Sequence, residues 1–193
     1  VEDFSGSEFY LPSRLGLASV DATLGEDDAS LEMYARLVEQ LTQLGVRSGS
    51  SEQARSIGVK IDDVVAGLMS RHEDRIQADL TREALRYAVM AESLHAGDEV
   101  PEAVLLALAS TSRRLGNEMM NPADADASRA VDQATREEAK RLIMSAGVYY
   151  QRHARAVLVR DSGTAARSRW EAADAFDAAG DADMAIKEYT TYM

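Results

Sequence analysis

WEAADAFDAAGDADMAIKEY (170–189) is the segment of this 193-residue chain that indicates its fold most clearly. Two runs rich in alanine lie on either side of Gly180-Asp181. Glycine is favoured in the left-handed conformation that ends many helices, and aspartate is favoured at the position that begins the next one. The stretch therefore predicts two helices joined by a short turn, an arrangement that favours antiparallel packing.

Apolar side chains recur at three- and four-residue steps along most of the chain, as in Leu31, Tyr34, Val38 and Leu41. This period is typical of an amphipathic helix, and no segment keeps the period of two that a half-buried strand requires. The chain has three prolines, the residue that helices tolerate least. We predict an all-α protein of about eight helices arranged as antiparallel hairpins.

Glycine positions and one loop divide the predicted helices. We expect a left-handed helix end at the glycines that follow periodic runs, Gly25, Gly97, Gly116 and Gly180. Residues 117–128, with Asn121-Pro122 and alternating alanine and aspartate, predict one long loop. We predict a single domain over residues 1–193. Because the chain starts at Val1 and stops directly after an amphipathic segment, we interpret it as a piece of a longer protein.

The charge and composition exclude several classes of function. A formal charge of −12 argues against a general binder of nucleic acid or of anionic membranes, since phosphates require a cationic surface. The surplus acids indicate a solvated outer face or, alternatively, a basic partner. No segment has the roughly 20 apolar residues that a membrane span needs. The absence of cysteine removes disulfides, thiol catalysis and cysteine-ligated metals.

Two segments share a pattern at opposite ends of the chain. GEDDASLEMY (25–34) and GDADMAIKEY (180–189) both have a small residue five positions after the glycine and a tyrosine nine positions after it. With Ala173 and Phe176 upstream, the second copy resembles the tetratricopeptide repeat (TPR), a helix hairpin of roughly 34 residues. The resemblance implies repeat-packing roles for Ala173, Phe176, Gly180, Ala185 and Tyr189, and for Gly25, Ser30 and Tyr34.

The TPR resemblance implies a right-handed α-solenoid in which stacked hairpins form a concave surface. In that family the surface holds a peptide or a helix, so we expect a protein-interaction scaffold rather than an enzyme. The candidate partner-binding residues are Arg167, Trp170, Asp174 and Asp177 in the last hairpin, and Arg141 and Arg152 on the preceding helix. One alternative is that Trp170 packs beneath a further hairpin. Another is an oligomerisation module that buries Trp170, Tyr189 and Tyr192 against a second copy.

Catalytic and metal-binding motifs have little support in the sequence. Glu92 and His95 have the Glu-x-x-His spacing of helical metal sites, but the motif does not recur as a di-iron bundle would require. His72 lies in a charged run that we interpret as a solvent-facing surface, and His153 is interpreted as a packed or surface residue. No phosphate-binding glycine loop or nucleophile elbow occurs. We therefore expect no cofactor, and a helical-bundle metal protein is the least favoured alternative.

Overall fold

The computed structural model describes residues 10–23, 27–46, 58–96, 99–122 and 131–192. These residues form eight α-helices, and no strand occurs among them, which confirms the predicted all-α class. The helices are α1 (Tyr10–Thr23), α2 (Asp27–Gln43), α3 (Ile61–Gln77), α4 (Thr81–Ser93), α5 (Glu102–Met120), α6 (Gln133–Val157), α7 (Ser162–Ala179) and α8 (Ala182–Tyr192). The chain divides into two compact units, Val1–Val100 and Pro101–Met193, and the single repeat domain stays a prediction.

Unit 1 is built from two helix pairs, α1 with α2 and α3 with α4. In the first pair the buried Ser30 hydroxyl donates to the Ala18 carbonyl oxygen over 2.9 Å. Tyr34 of α2 is buried and meets Tyr87 of α4 edge to face, with ring centroids 6.0 Å apart. A Cβ on Gly67 of α3 would lie 2.7 Å from the Tyr34 hydroxyl oxygen. Glycine at this position therefore lets the tyrosine lie close against α3.

Unit 2 packs its helices in chain order: α5 on α6, α6 on α7 and α7 on α8. The first and last of these helices, α5 and α8, have no comparable packing. A cluster of small and aromatic side chains forms the shared core, including Ala146, Tyr150, Ala172 and Phe176. Alanine faces let the helix axes approach closely, and the Phe176 ring is fully buried among them.

Side chains also connect alternate helices of unit 2. Arg113 of α5 donates to Glu171 of α7, and Arg160, just before α7, donates to Glu102 of α5. Both pairs span 58 residues of sequence. Two helices keep a constant separation of this kind only if they run in the same direction. The other two helices of unit 2 are also connected: Gln151 of α6 donates to the Glu188 carboxylate of α8 over 2.7 Å.

The helix ends confirm one of the four predicted glycine stops and correct another. Gly180 ends α7 with φ +89°, in the left-handed conformation. Gly116 lies inside α5, where a Cβ would be 2.6 Å from Ile143 Cγ1, so it serves a close helix contact and the predicted stop is wrong. Consequently α5 continues through Met120, and residues 117–120 of the predicted loop are helical. Gly25, Gly97 and residues 123–130 lie outside the described residues.

Candidate functional site

The solvent-facing side of α7 brings together four of the predicted partner-binding residues. Arg167, Trp170, Asp174 and Asp177 recur at three- and four-residue steps and therefore share one side of the helix. We call these four residues the α7 face. Arg167 and Asp177 are exposed, and Asp174 is half-buried. Trp170, the only tryptophan in the chain, leaves 45% of its surface exposed.

The opposite side of α7 fixes the orientation of this face. Ala172, Ala173, Ala175 and Phe176 are fully buried. A Cβ on Gly147 of α6 would lie 2.6 Å from Phe176 Cε1, well inside van der Waals contact. Only glycine lets the ring lie against the α6 backbone in this way. The tight fit restricts rotation of α7 about its own axis, so the α7 face is held toward solvent.

Both ends of α7 are also secured by local interactions. The Asp161 carboxylate accepts from the Thr164 backbone N–H over 2.9 Å and from its hydroxyl over 2.7 Å. These hydrogen bonds, the hydroxyl's first, hold the pKa of Asp161 below its ordinary value. At the other end Gly180 donates to the Asp177 carbonyl oxygen, and Asp181 donates to that of Phe176. Such capped ends limit fraying of the helix.

Arg113 of α5 connects its helix to the α7 face. Its guanidinium donates to Glu171 over 2.5 Å and also to Asp174. One cation thus faces two carboxylates, and all three side chains are partly exposed. Beneath them, burial raises the pKa of Tyr150, and the Glu171 charge raises it further while Arg113 opposes both. The sequence alone did not indicate Arg113 and Glu171 as part of this site, because no local pattern relates residues on two separate helices.

Arg141 and Arg152 are not brought to the α7 face. Both lie on α6, on the side opposite its buried residues Ala139, Ile143 and Ala146. Arg141 is exposed, while the Arg152 guanidinium carbon lies 5.6 Å from the centroid of the Tyr149 ring. Their predicted role in partner binding remains a prediction, and it would require a surface separate from the α7 face.

The residues with predicted repeat-packing roles lie in hairpin interiors or turns wherever they are described. Ala173, Phe176 and Ala185 are buried, and Tyr189 is half-buried against the same cluster. Ser30 and Tyr34 are buried in unit 1, whereas Gly25 lies outside the described residues. Their assignment to a TPR pattern stays a prediction, since burial is common to helix hairpins of many kinds.

The three histidines are buried within the two units, so the predicted solvent-facing position of His72 is wrong. His153 Nδ1 lies 2.8 Å from the Ser168 hydroxyl oxygen between α6 and α7. Neither ring nitrogen of His95 has a hydrogen-bond partner among the residues described. Burial lowers the pKa of each histidine, His72 included, below the ordinary value. Within the described parts of the chain, no three histidine or acidic side chains lie close enough together to hold a metal ion. Glu92 and His95 therefore belong to no such group.

One open cavity lies at the turn between α7 and α8. Its volume is about 440 Å³, and its lining comprises Met144, Ala179, Gly180, Asp181, Ala182 and Asp183. The Asp181 carboxylate accepts from the Met184 backbone N–H over 3.0 Å and so begins α8, as the sequence predicts. The cavity is thus lined mainly by the residues that form the hairpin turn, with Met144 of α6 beside them.

Comparison with known proteins gives no further assignment. No family model, no curated protein and no solved structure matches the chain. Among the described helices, none is both long enough and apolar enough to cross a membrane.

Proposed function

We propose that this chain is a TPR-like helical-repeat scaffold that binds a peptide or a helix of a partner protein through the α7 face. The observation that carries the proposal is the exposure of Trp170. Tryptophan and arginine are the residue types most enriched among residues that dominate binding energy. Trp170 has Arg167 one turn before it on the same face, and 45% of its surface is open to solvent.

The packing of unit 2 supports a stack of hairpins over a closed bundle. In a closed four-helix bundle the first and last helices pack against each other, but α5 and α8 do not pack in this way. Instead Arg113 links α5 to α7, and Gln151 links α6 to α8. Contacts between each helix and the next but one are typical of helical repeats, whose open face serves as a binding surface.

The rigidity of the α7 face favours binding. Phe176 locks the back of α7 against Gly147, and Arg113 holds Glu171 and Asp174 at its side. A surface that is ordered before it meets its partner loses less conformational entropy on association. Arg113 also brings the exposed side of α5 next to the α7 face, which widens the surface on which a peptide can lie.

The test is a selection of peptides from a random display library, followed by fluorescence titration. Because Trp170 is the only tryptophan, its emission reports directly on this face when the selected peptides lack tryptophan. We expect recovered peptides to shift the Trp170 emission, and Arg167→Ala to weaken them several-fold. Ile186→Ala is the matched control, since Ile186 is 63% exposed on α8 and lies outside the α7 face.

Three outcomes would overturn the proposal. The first is a selection that recovers no peptide, and the second is a set of peptides that leave the Trp170 emission unchanged. The third is an emission that shifts with protein concentration alone, together with a doubled mass in light scattering. That last result would assign the face to a second copy of the chain and support an oligomerisation module.

A further inference from the structure

The α7 face is polarised along the helix axis. Arg167 lies near one end and Asp177 near the other, with Trp170 between them. At 1.5 Å per residue, Trp170 lies about 4.5 Å from Arg167 and about 10 Å from Asp177 along the axis. Neither charged side chain forms an ion pair or a side-chain hydrogen bond within the part of the chain that the structure describes. Both charges are therefore available to a partner.

Asp174 reinforces the negative end of the face. Arg113 is shared between Asp174 and Glu171, so one negative charge of the trio remains uncompensated. With Asp177 one turn further, the negative end carries more than one unit of charge, whereas Arg167 gives the other end a positive charge. A ligand that complements this face must bear charges of both signs, separated by an apolar group.

We propose that the occupant is an extended peptide segment with one apolar anchor residue on Trp170, an acidic residue against Arg167 and a basic residue against Asp177 and Asp174. This inference rests on the proposed function and specifies its ligand. An extended chain rises about 3.3 Å per residue. Successive side chains of an extended chain point to opposite sides, so only residues an even number of positions from the anchor share its side. The acidic residue therefore lies about two positions from the anchor, and the basic residue lies about two or four positions away on the other side.

Double-mutant cycles between protein and peptide test this assignment. The probe is the tightest peptide from the display selection, and its basic residue is replaced by glutamine in a second synthesis. We expect this replacement to weaken binding about two- to fivefold on the wild type and clearly less on Asp177→Asn, where Asp174 alone still faces the basic residue. Replacing the peptide's acidic residue by glutamine should likewise weaken binding to the wild type and leave binding to Arg167→Gln unchanged.

Asp183→Asn provides the matched control for net charge. Asp183 is an exposed acid on α8, and its substitution removes the same single charge away from the α7 face. We expect the peptide's basic residue to retain its full effect on Asp183→Asn. Raising the salt concentration should reduce both charge effects, because exposed ion pairs are screened.

The outcomes separate this inference from the proposed function. Peptides that shift the Trp170 emission but have no acid and base on opposite sides of an apolar residue would overturn the charge pattern and leave the scaffold intact. Equal losses of affinity on Asp177→Asn and Asp183→Asn would also overturn it, since they would indicate an effect of overall charge. A selection without peptides would overturn the proposed function, and this inference with it.

Discussion

Gly147→Ala tests the close contact between α6 and α7 that holds the α7 face in place. The added Cβ would lie 2.6, 2.8 and 2.9 Å from three atoms of the Phe176 ring, which is fully buried. Forcing an extra methyl group into a packed core costs about 1–3 kcal/mol. The better helix propensity of alanine returns up to about 1 kcal/mol. We expect a net loss of about 1–2 kcal/mol in the free energy of unfolding.

The assay is urea unfolding followed by Trp170 fluorescence, which reports on unit 2 because no other tryptophan is present. Gly163→Ala is the matched control, since its Cβ would meet only Asp161 Oδ1, at an ordinary 3.4 Å. This variant should be as stable as the wild type or slightly more stable. The same chemical change is thus expected to destabilise the protein at Gly147 but not at Gly163.

A second substitution shows whether the Phe176 ring causes the loss. Phe176→Leu opens space beside Gly147 and is itself destabilising, because it leaves a cavity. In this background Gly147→Ala should cost about 1 kcal/mol less than in the wild type, since contacting residues are energetically coupled. An unchanged cost would refute the steric argument. So would a Gly147→Ala variant as stable as the wild type.

Three further predictions concern unit 2, each read by Trp170 fluorescence. Burial lowers the pKa of His153 below 6.5, so the unfolded chain binds a proton at this histidine at a higher pH than the folded chain does. The free energy of unfolding that His153 contributes above pH 6.5 is therefore lost as the pH falls below that value. His153→Asn should therefore lose less stability than the wild type between about pH 7.5 and pH 5.5, and equal losses would contradict this. Arg113→Met should lower the free energy of unfolding by about 1 kcal/mol at low salt. Asp174→Asn should cost less in this variant than in the wild type, and strictly additive costs would exclude the shared ion pair. Gly180→Ala should cost about 1 kcal/mol because alanine is strained at φ +89°, and an unchanged urea midpoint would argue against the left-handed end.

Local patterns in the sequence predicted the helices and several of their ends. The spacing of Leu31, Tyr34, Val38 and Leu41 predicted α2, and Gly180-Asp181 predicted the turn between α7 and α8. These features depend on neighbouring residues alone, through helix periodicity and capping. The same local rule failed at Gly116, because the absence of a side chain there serves a contact with Ile143 on another helix.

The site was only partly predictable for the same reason. The spacing of Arg167, Trp170, Asp174 and Asp177 sufficed to place them on one side of a helix. The role of Arg113 required the register between α5 and α7, which is set by packing over 58 residues of sequence. Long-range pairings of this kind depend on how the surfaces of both helices fit together. No local pattern in a single sequence indicates which residues will meet.

Binding at the α7 face is tested most directly by a nuclear magnetic resonance titration with a peptide from the display selection. The single tryptophan gives one indole N–H signal, which observes the centre of the α7 face without ambiguity. If the peptide lies on the α7 face, this signal moves on titration, together with backbone amides of α7 between Arg167 and Asp177. A bound peptide that leaves the indole signal in place and shifts residues elsewhere would contradict the claim that the α7 face is the binding surface.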